Sequence, residues 1–325
     1  MSPSLKILRA AYASIQDGGR FGFEAIGVGR AGFSDARHAE LANLLAGNPA
    51  QAALVEIFAG AFEVEFLRDI DFATAGAVCE LRLDGILVQA GARVRAKRGQ
   101  RLVLKQVHAG RILYLALTGG IEIPAVLGSS ATDLVSAFGG FDGRLLRALD
   151  VLSTALEKNS LPIFRAWLVP YLPDHTPLRV MLAHDCPQTL AQQFFESHWR
   201  VSAQSQRSGM RLENAATKTM NPPDHDGVSR GVVPGVIQLP PNGLPIVLGV
   251  DAQTVGGYFV LGVVIAVDLW RIGQAVPGQI VRFQSVKIEQ ARALSQEQRF
   301  VRAKLELAIS ARTMDAGGAF TSATR

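Results

Sequence analysis

The stretch GVGRAGFSDARHAELANLLAGN (residues 27–48) places three glycines at G-x-G-x-x-G spacing directly before a helix-like run. That spacing is shared with the dinucleotide-binding fingerprint, which needs a buried strand upstream and a regular β-α alternation downstream. The segment upstream, SIQDGGRFGFEAI (14–26), instead carries polar residues and three more glycines, and no β-α alternation follows. We therefore predict that the glycines form tight turns of positive φ ahead of a helix at Asp35–Ala46, which Ser34 or Asp35 caps.

Short strands separated by turns follow along most of the chain. In CELRLDGILVQ (79–89), alternating apolar residues flank Asp84-Gly85, which predicts a two-residue β-hairpin. AFEVEFL (61–67) alternates apolar side chains toward one face, and ARVRAKRGQRLVLKQ (92–106) predicts a further hairpin around Gly99. PGVIQLPPNGLPIVLGVD (234–251) places a Pro-Asn-Gly turn between two strands. Many short strands with turns favour barrels or sandwiches, so we expect a mainly β protein.

The chain divides into two halves with few helices. Besides the helix at 35–46, helices are expected near Pro187–Trp199 and in the C-terminal tail. The Pro-rich segment 152–177 has no regular period and predicts a domain boundary. We therefore expect a β-barrel-like half at 1–165, a second at 175–288, and a helical, basic, partly flexible tail at 289–325.

Composition and hydropathy exclude several classes of protein. The chain is 48% hydrophobic and only 19% charged, which is typical of a compact fold. Its longest apolar stretch, Tyr258–Val267, is far shorter than the roughly 20 residues of a membrane-spanning helix. The first ten residues, MSPSLKILRA, contain no apolar leader segment, so we expect a cytoplasmic protein that does not bind a membrane.

Neither metal binding nor nucleic-acid binding is indicated. The two cysteines and six scattered histidines give no disulfide framework and no metal-ligand spacing. Adjacent side chains point in different directions, so His184, Asp185 and Cys186 are expected to be neighbours by chance, and His38 to be exposed or capping. The segment 287–325 carries seven Lys/Arg against four Asp/Glu, and its mixed signs predict a solvated helix with no nucleic-acid partner.

Three polar loops are the best candidates for chemistry: QDGGRFG (16–22), SQRSGMRL (205–212) and DAQTVGGY (251–258). Glycine lets backbone N–H groups approach a ligand, while arginine and glutamine recognise carboxylate, phosphate or amide groups. Each loop alone could be a plain polar loop, but together they suggest one binding site.

In order along the chain, these segments resemble the biotin-dependent carboxyltransferase family. That family includes the C subunit of bacterial ATP-dependent 5-oxoprolinase (also known as allophanate hydrolase subunit 2) and part of urea carboxylase. The resemblance runs from about Leu5 to Phe283 and is carried by motifs at 15–22, 27–48, 110–132, 205–212, 234–248 and 251–258. It implies two β-barrel units related to cyclophilin, which agrees with the strand pattern.

The resemblance implies work on an amide, lactam or urea. The main interpretation is the C subunit of an ATP-dependent 5-oxoprolinase-like complex, which opens 5-oxoproline to glutamate with partner subunits A and B and is inactive alone. The first alternative is a biotin-dependent carboxyltransferase acting on urea or a related amide, with biotin arriving on another chain. The second alternative is a non-enzymatic regulatory partner, an antagonist of a histidine-kinase inhibitor. No covalently bound cofactor is expected on this chain, and the ATP is used by the complex.

The family's motifs, carried over to matching positions, also imply a set of site residues. Asp17, Asp251 and Arg207 are the implied catalytic groups, with Arg207 binding an anion and Asp251 as the best candidate base. Asp35 is equally explicable as a helix N-cap. The implied substrate-binding residues are Gln16, Arg20, Asp35, Asn43, Arg211, Gln238, Gln253, Gly256, Gly257 and Tyr258.

The chain departs from the family pattern at several positions. Gln206 and Ser208 interrupt the usual S-D-R-M-G, and Arg230 replaces the acid of S-E-G. Phe259 and Val260 replace the Pro and Lys of G-G-Y-P-K, and GSSAT (128–132) lacks the arginine that commonly lies between its serines. Losing carboxylates and cations changes the electrostatics of a site, which leaves an altered substrate or a role in assembly open.

Overall fold

The computed structural model describes residues 2–58, 60–155, 176–216, 219–223 and 227–318. Two compact units are formed by these residues. Among the described residues, the first unit draws on 2–18, 36–58, 60–155 and 298–318, and the second on 19–35, 176–216, 219–223 and 227–297. Most of the Pro-rich segment that predicts a domain boundary, residues 156–175, lies outside the described residues.

The first unit is built on one nine-stranded antiparallel sheet that curls into a nearly closed barrel. The 17-residue strand β8 is central, because it pairs with β3, β4 and β5 in turn. The predicted alternation in β4 is confirmed: Phe62, Val64 and Phe66 are buried in the core. The strands are β1 (Ser2–Ala10), β2 (Ala13–Gln16), β3 (Leu54–Phe58), β4 (Phe62–Phe66), β5 (Ile70–Leu83), β6 (Ile86–Val88), β7 (Arg93–Ala96), β8 (Arg101–Leu117) and β9 (Val151–Thr154).

Two turns in the first unit test the sequence predictions. The hairpin at Asp84-Gly85 is confirmed, since Leu83 pairs with Ile86 and both turn residues have positive φ, 48° and 82°. The hairpin predicted around Gly99 is wrong in its pairing. A turn does form at Gly99, but β7 pairs with β5, whereas β8 runs on to β4. Two strand-forming segments that flank a turn therefore need not pair with each other.

The second unit has an eight-stranded sheet that curls into a half-barrel, with the order β18-β11-β12-β15-β14-β17-β10-β19. Its core packs Phe194, Trp199 and Phe283 together, and the predicted Pro-Asn-Gly turn joins β14 to β15. A separate ribbon of two short strands pairs β13 with β16. The strands are β10 (Leu178–Leu182), β11 (Trp199–Val201), β12 (Gly209–Asn214), β13 (Arg230–Gly231), β14 (Val236–Leu239), β15 (Ile246–Leu248), β16 (Val255–Gly256), β17 (Phe259–Val264), β18 (Ile280–Val281) and β19 (Phe283–Ser285). The predicted mainly β fold is confirmed.

The described residues contain four α-helices: α1 (Ala36–Ala46), α2 (Gln188–Glu196), α3 (Leu269–Gln274) and α4 (Ile288–Gly318). α3 was missed because six residues are too few to show a helical period. His38 on α1 was expected to be exposed or capping, but it is only 8% exposed, because α1 packs against β5 and β8. Among the described residues, no helix is long and apolar enough to cross a membrane.

Two of the three glycines that open the sequence analysis, Gly27 and Gly32, have the predicted positive φ, whereas Gly29 does not. Gly27 ends a single 3-10 turn at Glu24–Ile26 with φ of 85°, and Gly32 has φ of 84°. No strand lies between residues 17 and 35, so α1 is not fed by a parallel sheet. A dinucleotide site of the kind the spacing suggests is therefore excluded at this position.

Candidate functional site

In the first unit, the end of β2 carries a polar cluster centred on Asp17. The Asp17 carboxylate accepts hydrogen bonds from Ser129 Oγ and from the backbone N–H of Ser130, both at 2.6 Å. Gln16 is fully buried, and its Nε2 donates to Ser14 Oγ at 3.0 Å and to the Thr132 carbonyl at 3.1 Å. The segment 129–132 is thereby fixed against β2, and the half-buried Asp17 stands at its edge.

The Asn43 side chain, on α1, is hydrogen-bonded to the loop that follows this helix. Its Nδ2 donates to the carbonyls of Ala50 and Ala52 at 3.1 and 2.8 Å, and its Oδ1 accepts from Asn48 Nδ2 at 3.2 Å. Both amide hydrogens of Asn43 are thus used by the chain itself in this conformation. This geometry fits the anchoring of the loop after α1 better than the substrate binding that the resemblance implies.

In the second unit, Arg207 and Asp251 form a buried ion pair. Arg207 Nε and Nη2 donate to the two carboxylate oxygens of Asp251 at 2.7 and 2.8 Å, and the side chains are 2% and 3% exposed. Two further donors of the guanidinium, on Nη1 and Nη2, reach Ser34 Oγ at 2.8 Å and the Gly32 carbonyl at 2.9 Å. The pair therefore holds the segment 32–34 in place.

These contacts restrict the roles implied for the pair. Both oxygens of the Asp251 carboxylate are occupied by the guanidinium, and releasing them would leave a buried cation without its partner. The guanidinium in turn directs four of its five N–H groups at Asp251, Ser34 and Gly32. Arg207 and Asp251 act best as positioning residues, while their implied roles as anion binder and base remain predictions.

A third group of implied residues lies on β14 and β16. Gln253 Nε2 donates to Gln238 Oε1 at 3.2 Å, and Gln238 is 1% exposed. A Cβ placed on Gly256 would come within 2.3 Å of Gln238 Nε2, so the glutamine amide lies directly against the bare glycine. Tyr258, by contrast, is 47% exposed. The structure thus brings Gln238, Gln253 and Gly256 together.

The other implied substrate-binding residues differ in accessibility. Arg20 is buried, and its backbone N–H donates to the Arg30 carbonyl at 2.8 Å. Asp35 is fully buried and accepts from Gln274 Nε2 at 2.8 Å. Arg211 exposes its side chain from β12, and Gly257 would place a Cβ 2.9 Å from the Gly227 carbonyl. Of these, Arg211 is the cation best placed to meet a ligand from solvent.

The departures from the family pattern divide into exposed and buried positions. Gln206 and Ser208 are exposed on the tight turn that sets up Arg207, and Arg230 forms an exposed ion pair with Asp185 at 3.3 Å. Phe259 and Val260 pack into or against the hydrophobic clusters of the second unit. Proline in place of Phe259 would lose buried apolar area, and a cation in place of Val260 would place a charge against a hydrophobic cluster. The packing around β17 therefore fits the residues present in this chain.

Sequence reasoning missed the partners that make these clusters. Ser34, Ser129, Ser130, Thr132 and Gln274 each contact an implied site residue. Four of the five have short hydroxyl side chains, which are common in loops, and Gln274 ends the short helix α3, so residue type gave no signal. The only available hint was that three of them lie in the motif 128–132.

Thiol and metal chemistry find no support in the described residues. No group of three or more His, Cys, Asp or Glu among them could hold a metal ion. Burial raises the pKa of the Cys79 thiol to about 12, and burial together with Asp185 raises the pKa of Cys186. The expectation that His184, Asp185 and Cys186 are incidental neighbours agrees with this direction, because a nucleophilic cysteine needs a lowered pKa.

We expect Cys79 to resist alkylation in the folded protein. With a pKa of about 12, roughly one thiol in ten thousand is ionised at pH 8. Its labelling by iodoacetamide should be at least about 100-fold slower than after unfolding in urea, where the pKa returns to near 8.5. Peptide mapping of the labelled chain at pH 8 checks this, with the unfolded chain as control. Equal rates in both states would show that Cys79 is accessible and ionised.

Comparison with known proteins places these features in a family. Residues 26–285 match the family described as carboxyltransferase domain, subdomain A and B. The C subunit of 5-oxoprolinase from Escherichia coli (strain K12) is 40% identical over 298 residues, covering 90% of this chain and 95% of that protein. The C subunit of 5-oxoprolinase from Haemophilus influenzae is 31% identical over 291 residues, covering 87% of this chain and 91% of that protein.

A solved structure extends the likeness to larger proteins. The crystal structure of K. lactis urea amidolyase matches with a TM-score of 0.80 at 26% identity, covering 92% of this chain but only 20% of that chain. This chain therefore spans about a fifth of the amidolyase and nearly the whole of the two bacterial relatives. The resemblance inferred from the ordered motifs is confirmed: this chain belongs to the carboxyltransferase domain, subdomain A and B, family.

Proposed function

We propose that this chain is the C component of a 5-oxoprolinase-like amidohydrolase complex. The complex would open 5-oxoproline to glutamate, driven by ATP hydrolysis, with partner subunits A and B. The observation that carries the proposal is the two-way coverage with the C subunit from Escherichia coli, 90% of this chain and 95% of that protein at 40% identity. In this proposal the chain is cytoplasmic, carries no covalently bound cofactor and is inactive alone.

Opening a lactam requires hydrogen-bond donors to the carbonyl oxygen and a group that accepts a proton. Amide resonance makes the carbonyl a weak electrophile, so a site needs hydrogen-bond donors where negative charge develops on oxygen. It also needs a carboxylate or similar group to accept a proton from the attacking nucleophile. The glutamine amides at Gln238 and Gln253 are neutral donors of the first kind.

Burial separates the three carboxylates that the family resemblance implies. Asp251 is bound through both oxygens to Arg207, and Asp35 is fully buried against Gln274. Asp17 is half-buried, and two of the groups that donate to it, Ser129 Oγ and the Ser130 N–H, are neutral. We therefore assign the proton-accepting role to Asp17, the one of the three that a nucleophile from solvent can reach.

The carboxyltransferase alternative has weaker support. The urea amidolyase of Saccharomyces cerevisiae is 29% identical, and this chain covers 17% of it, so most of that protein has no counterpart here. The alternative would require biotin to arrive on another chain. The regulatory alternative, an antagonist of a histidine-kinase inhibitor, rests on the departures at Gln206, Ser208 and Arg230, which lie on exposed loops and strands.

The proposal predicts a three-component activity. Cognate subunits A and B should hydrolyse ATP and release glutamate in a 5-oxoproline-dependent manner only when this chain is added. The complete mixture should release at least about 100-fold more glutamate than a mixture that lacks any one component. Steady-state assays of phosphate and glutamate with each component left out in turn check this. The C subunit from Escherichia coli in place of this chain is the matched control for the partners.

Other outcomes would separate the alternatives. If this chain bound the B component but added no turnover, while the Escherichia coli control did, a regulatory role or another substrate would replace the proposal. If instead it accelerated transfer of a carboxyl group from carboxybiotin to urea, the carboxyltransferase alternative would hold.

A further inference from the structure

The sheet of the first unit is interrupted where β8 leaves its neighbours. β3 pairs Phe58 with Ile112 of β8, and β4 pairs Phe62 with Leu104. The sequence between Phe58 and Phe62 has three residues, whereas β8 has seven between Leu104 and Ile112. On its other side, the pairing of β8 with β5 shifts register three times over the same stretch. The longer segment of β8 therefore bends away from β3 and β4, as a strand does at a bulge.

An open cavity of about 530 Å³ lies where β8 bends away. Its volume is within the range of about 300–1,000 Å³ that is usual for small-molecule sites. The charged side chains of its lining are Arg9 on β1, Glu63 on β4 and Lys105 on β8, and most of the other lining residues are apolar or glycine. None of the residues implied for the candidate site lines it.

The cavity also lies away from Asp17. The neighbouring Gln16 pairs with Leu54 at one end of β3, whereas the cavity begins beyond Phe58 at the other end. A ligand in this cavity would therefore be separated from Asp17 by the length of β3.

Glu63 lies between the two cations of the cavity. β1 pairs Arg9 with Glu63, and β4 pairs Glu63 with Val103, so these residues form one row across the sheet. Residues directly opposite in an antiparallel pair have Cβ atoms about 4.5–5.5 Å apart. Lys105 is two residues from Val103 along β8, so it belongs to the same face. The charges around the cavity therefore follow the order positive, negative, positive.

These charged groups are available to a ligand. Within the part of the chain that the structure describes, neither Arg9 nor Lys105 forms an ion pair or a side-chain hydrogen bond, although Arg9 lies directly opposite Glu63. Glu63 has a loose ion pair with Arg101 at 4.0 Å, in which the side chains are 30% and 58% exposed. The cavity thus offers two cations to anionic groups and one loosely paired carboxylate to an ammonium group.

We infer that this cavity binds a small acidic amino acid, whose carboxylates lie on Arg9 and Lys105 and whose ammonium group lies on Glu63. A single anion midway between the cations would be repelled by Glu63, so the row favours a ligand whose own charges alternate. An acidic α-amino acid has this order, because its ammonium group lies between its two carboxylates. The fork of an arginine binds a carboxylate through two hydrogen bonds, and the apolar lining contacts the methylene groups.

The order of charges alone selects this class of ligand, so the inference does not rest on the proposed function. L-glutamate serves as the probe, and under the proposed function it is also the product. Its binding to the full chain, without partner subunits, is measured by saturation-transfer NMR at low ionic strength, where exposed charges are least screened.

Lys105→Gln and Arg9→Gln should each weaken the binding of L-glutamate about tenfold, because each removes a hydrogen bond between charged groups. Lys97→Gln is the matched control, since Lys97 is an exposed lysine of the same unit and does not line the cavity. The control should bind as the wild type does. Equal affinities for Lys105→Gln and Lys97→Gln, or no binding to the wild-type chain, would overturn the inference.

Glu63→Gln tests the ammonium contact with a second probe, glutarate, which keeps both carboxylates and lacks the ammonium group. The wild-type chain should bind L-glutamate about fivefold more tightly than glutarate, because glutarate brings no positive charge to Glu63. In Glu63→Gln the affinity for L-glutamate should fall and that for glutarate should rise. A purely structural role would move both affinities in the same direction, and an unchanged preference between the two probes would contradict the assigned ammonium contact.

The outcomes also distinguish this inference from the proposed function. Binding of L-glutamate that depends on Arg9 and Lys105, in a chain that supports no turnover with its partners, would sustain the cavity site and remove the complex. Turnover with the partners, in a chain whose binding of L-glutamate is unaffected by Lys105→Gln, would sustain the complex and remove the cavity site.

Discussion

Asp251→Ala is expected to lower the free energy of unfolding of the second unit by about 3–5 kcal/mol. The substitution leaves the guanidinium of Arg207 buried, with a side chain only 2% exposed, and removes the two hydrogen bonds that neutralise it. Breaking a buried pair from one side costs far more than the pair contributes as a whole. The Gly32–Ser34 segment should loosen with it, since Arg207 also donates to both of those residues.

Urea unfolding followed by tryptophan fluorescence measures this loss, because Trp199 is fully buried in the core of the second unit. Asp185→Ala is the matched control. It breaks an ion pair of the same unit whose side chains are 58% and 53% exposed, so it should cost less than about 1 kcal/mol. A loss below about 1 kcal/mol for Asp251→Ala as well would show that the pair does not hold the fold.

A double variant separates structure from chemistry in the same pair. Arg207→Met combined with Asp251→Leu replaces both charges with apolar groups, and it should recover much of the stability that Asp251→Ala loses. If the recovered protein also regains partner-dependent turnover, the pair is positional. If it is stable but inactive, Arg207 or Asp251 takes part in the reaction, as the sequence motifs imply.

Local patterns in the sequence were enough to predict most of the fold. The alternation of Phe62, Val64 and Phe66 indicates a strand with one buried face, since the side-chain period of a strand is two residues. Asp84-Gly85 indicates a hairpin because both residues tolerate positive φ. Strand pairing is not local: the segments around Gly99 both form strands, yet β7 pairs with β5.

The candidate site was less predictable, because its contacts join distant segments. Arg207 and Asp251 are 44 residues apart, and Asp17 and Ser129 are 112 apart. The motifs pointed to Asp17, Arg207 and Asp251 as polar residues of interest. Tertiary packing decides which of these charges lies beside an opposite charge. The periodicity of the sequence does not show such pairing.

Asp17→Asn is expected to reduce 5-oxoproline-dependent turnover of the assembled complex by about 10²–10⁴-fold. The substitution keeps the volume of the side chain and removes its ability to accept a proton at neutral pH. Under the proposed function, Asp17 is the most accessible of the three implied carboxylates, whereas Asp251 is paired with Arg207. Stability should change little, because Asp17 is half-buried and an amide oxygen can still accept one of the hydrogen bonds.

Ser129→Ala is the control that separates proton transfer from positioning. It removes the 2.6 Å hydrogen bond from Ser129 Oγ but leaves the carboxylate and the second hydrogen bond from the Ser130 N–H. One hydrogen bond contributes about 0.5–1.5 kcal/mol, so turnover should fall by no more than roughly tenfold. If Ser129→Ala were as inactive as Asp17→Asn, Asp17 would act by holding the segment 129–132. If Asp17→Asn kept full turnover, the proton would be accepted by another group. Only a large loss with Asp17→Asn and a small loss with Ser129→Ala would place the base at the end of β2.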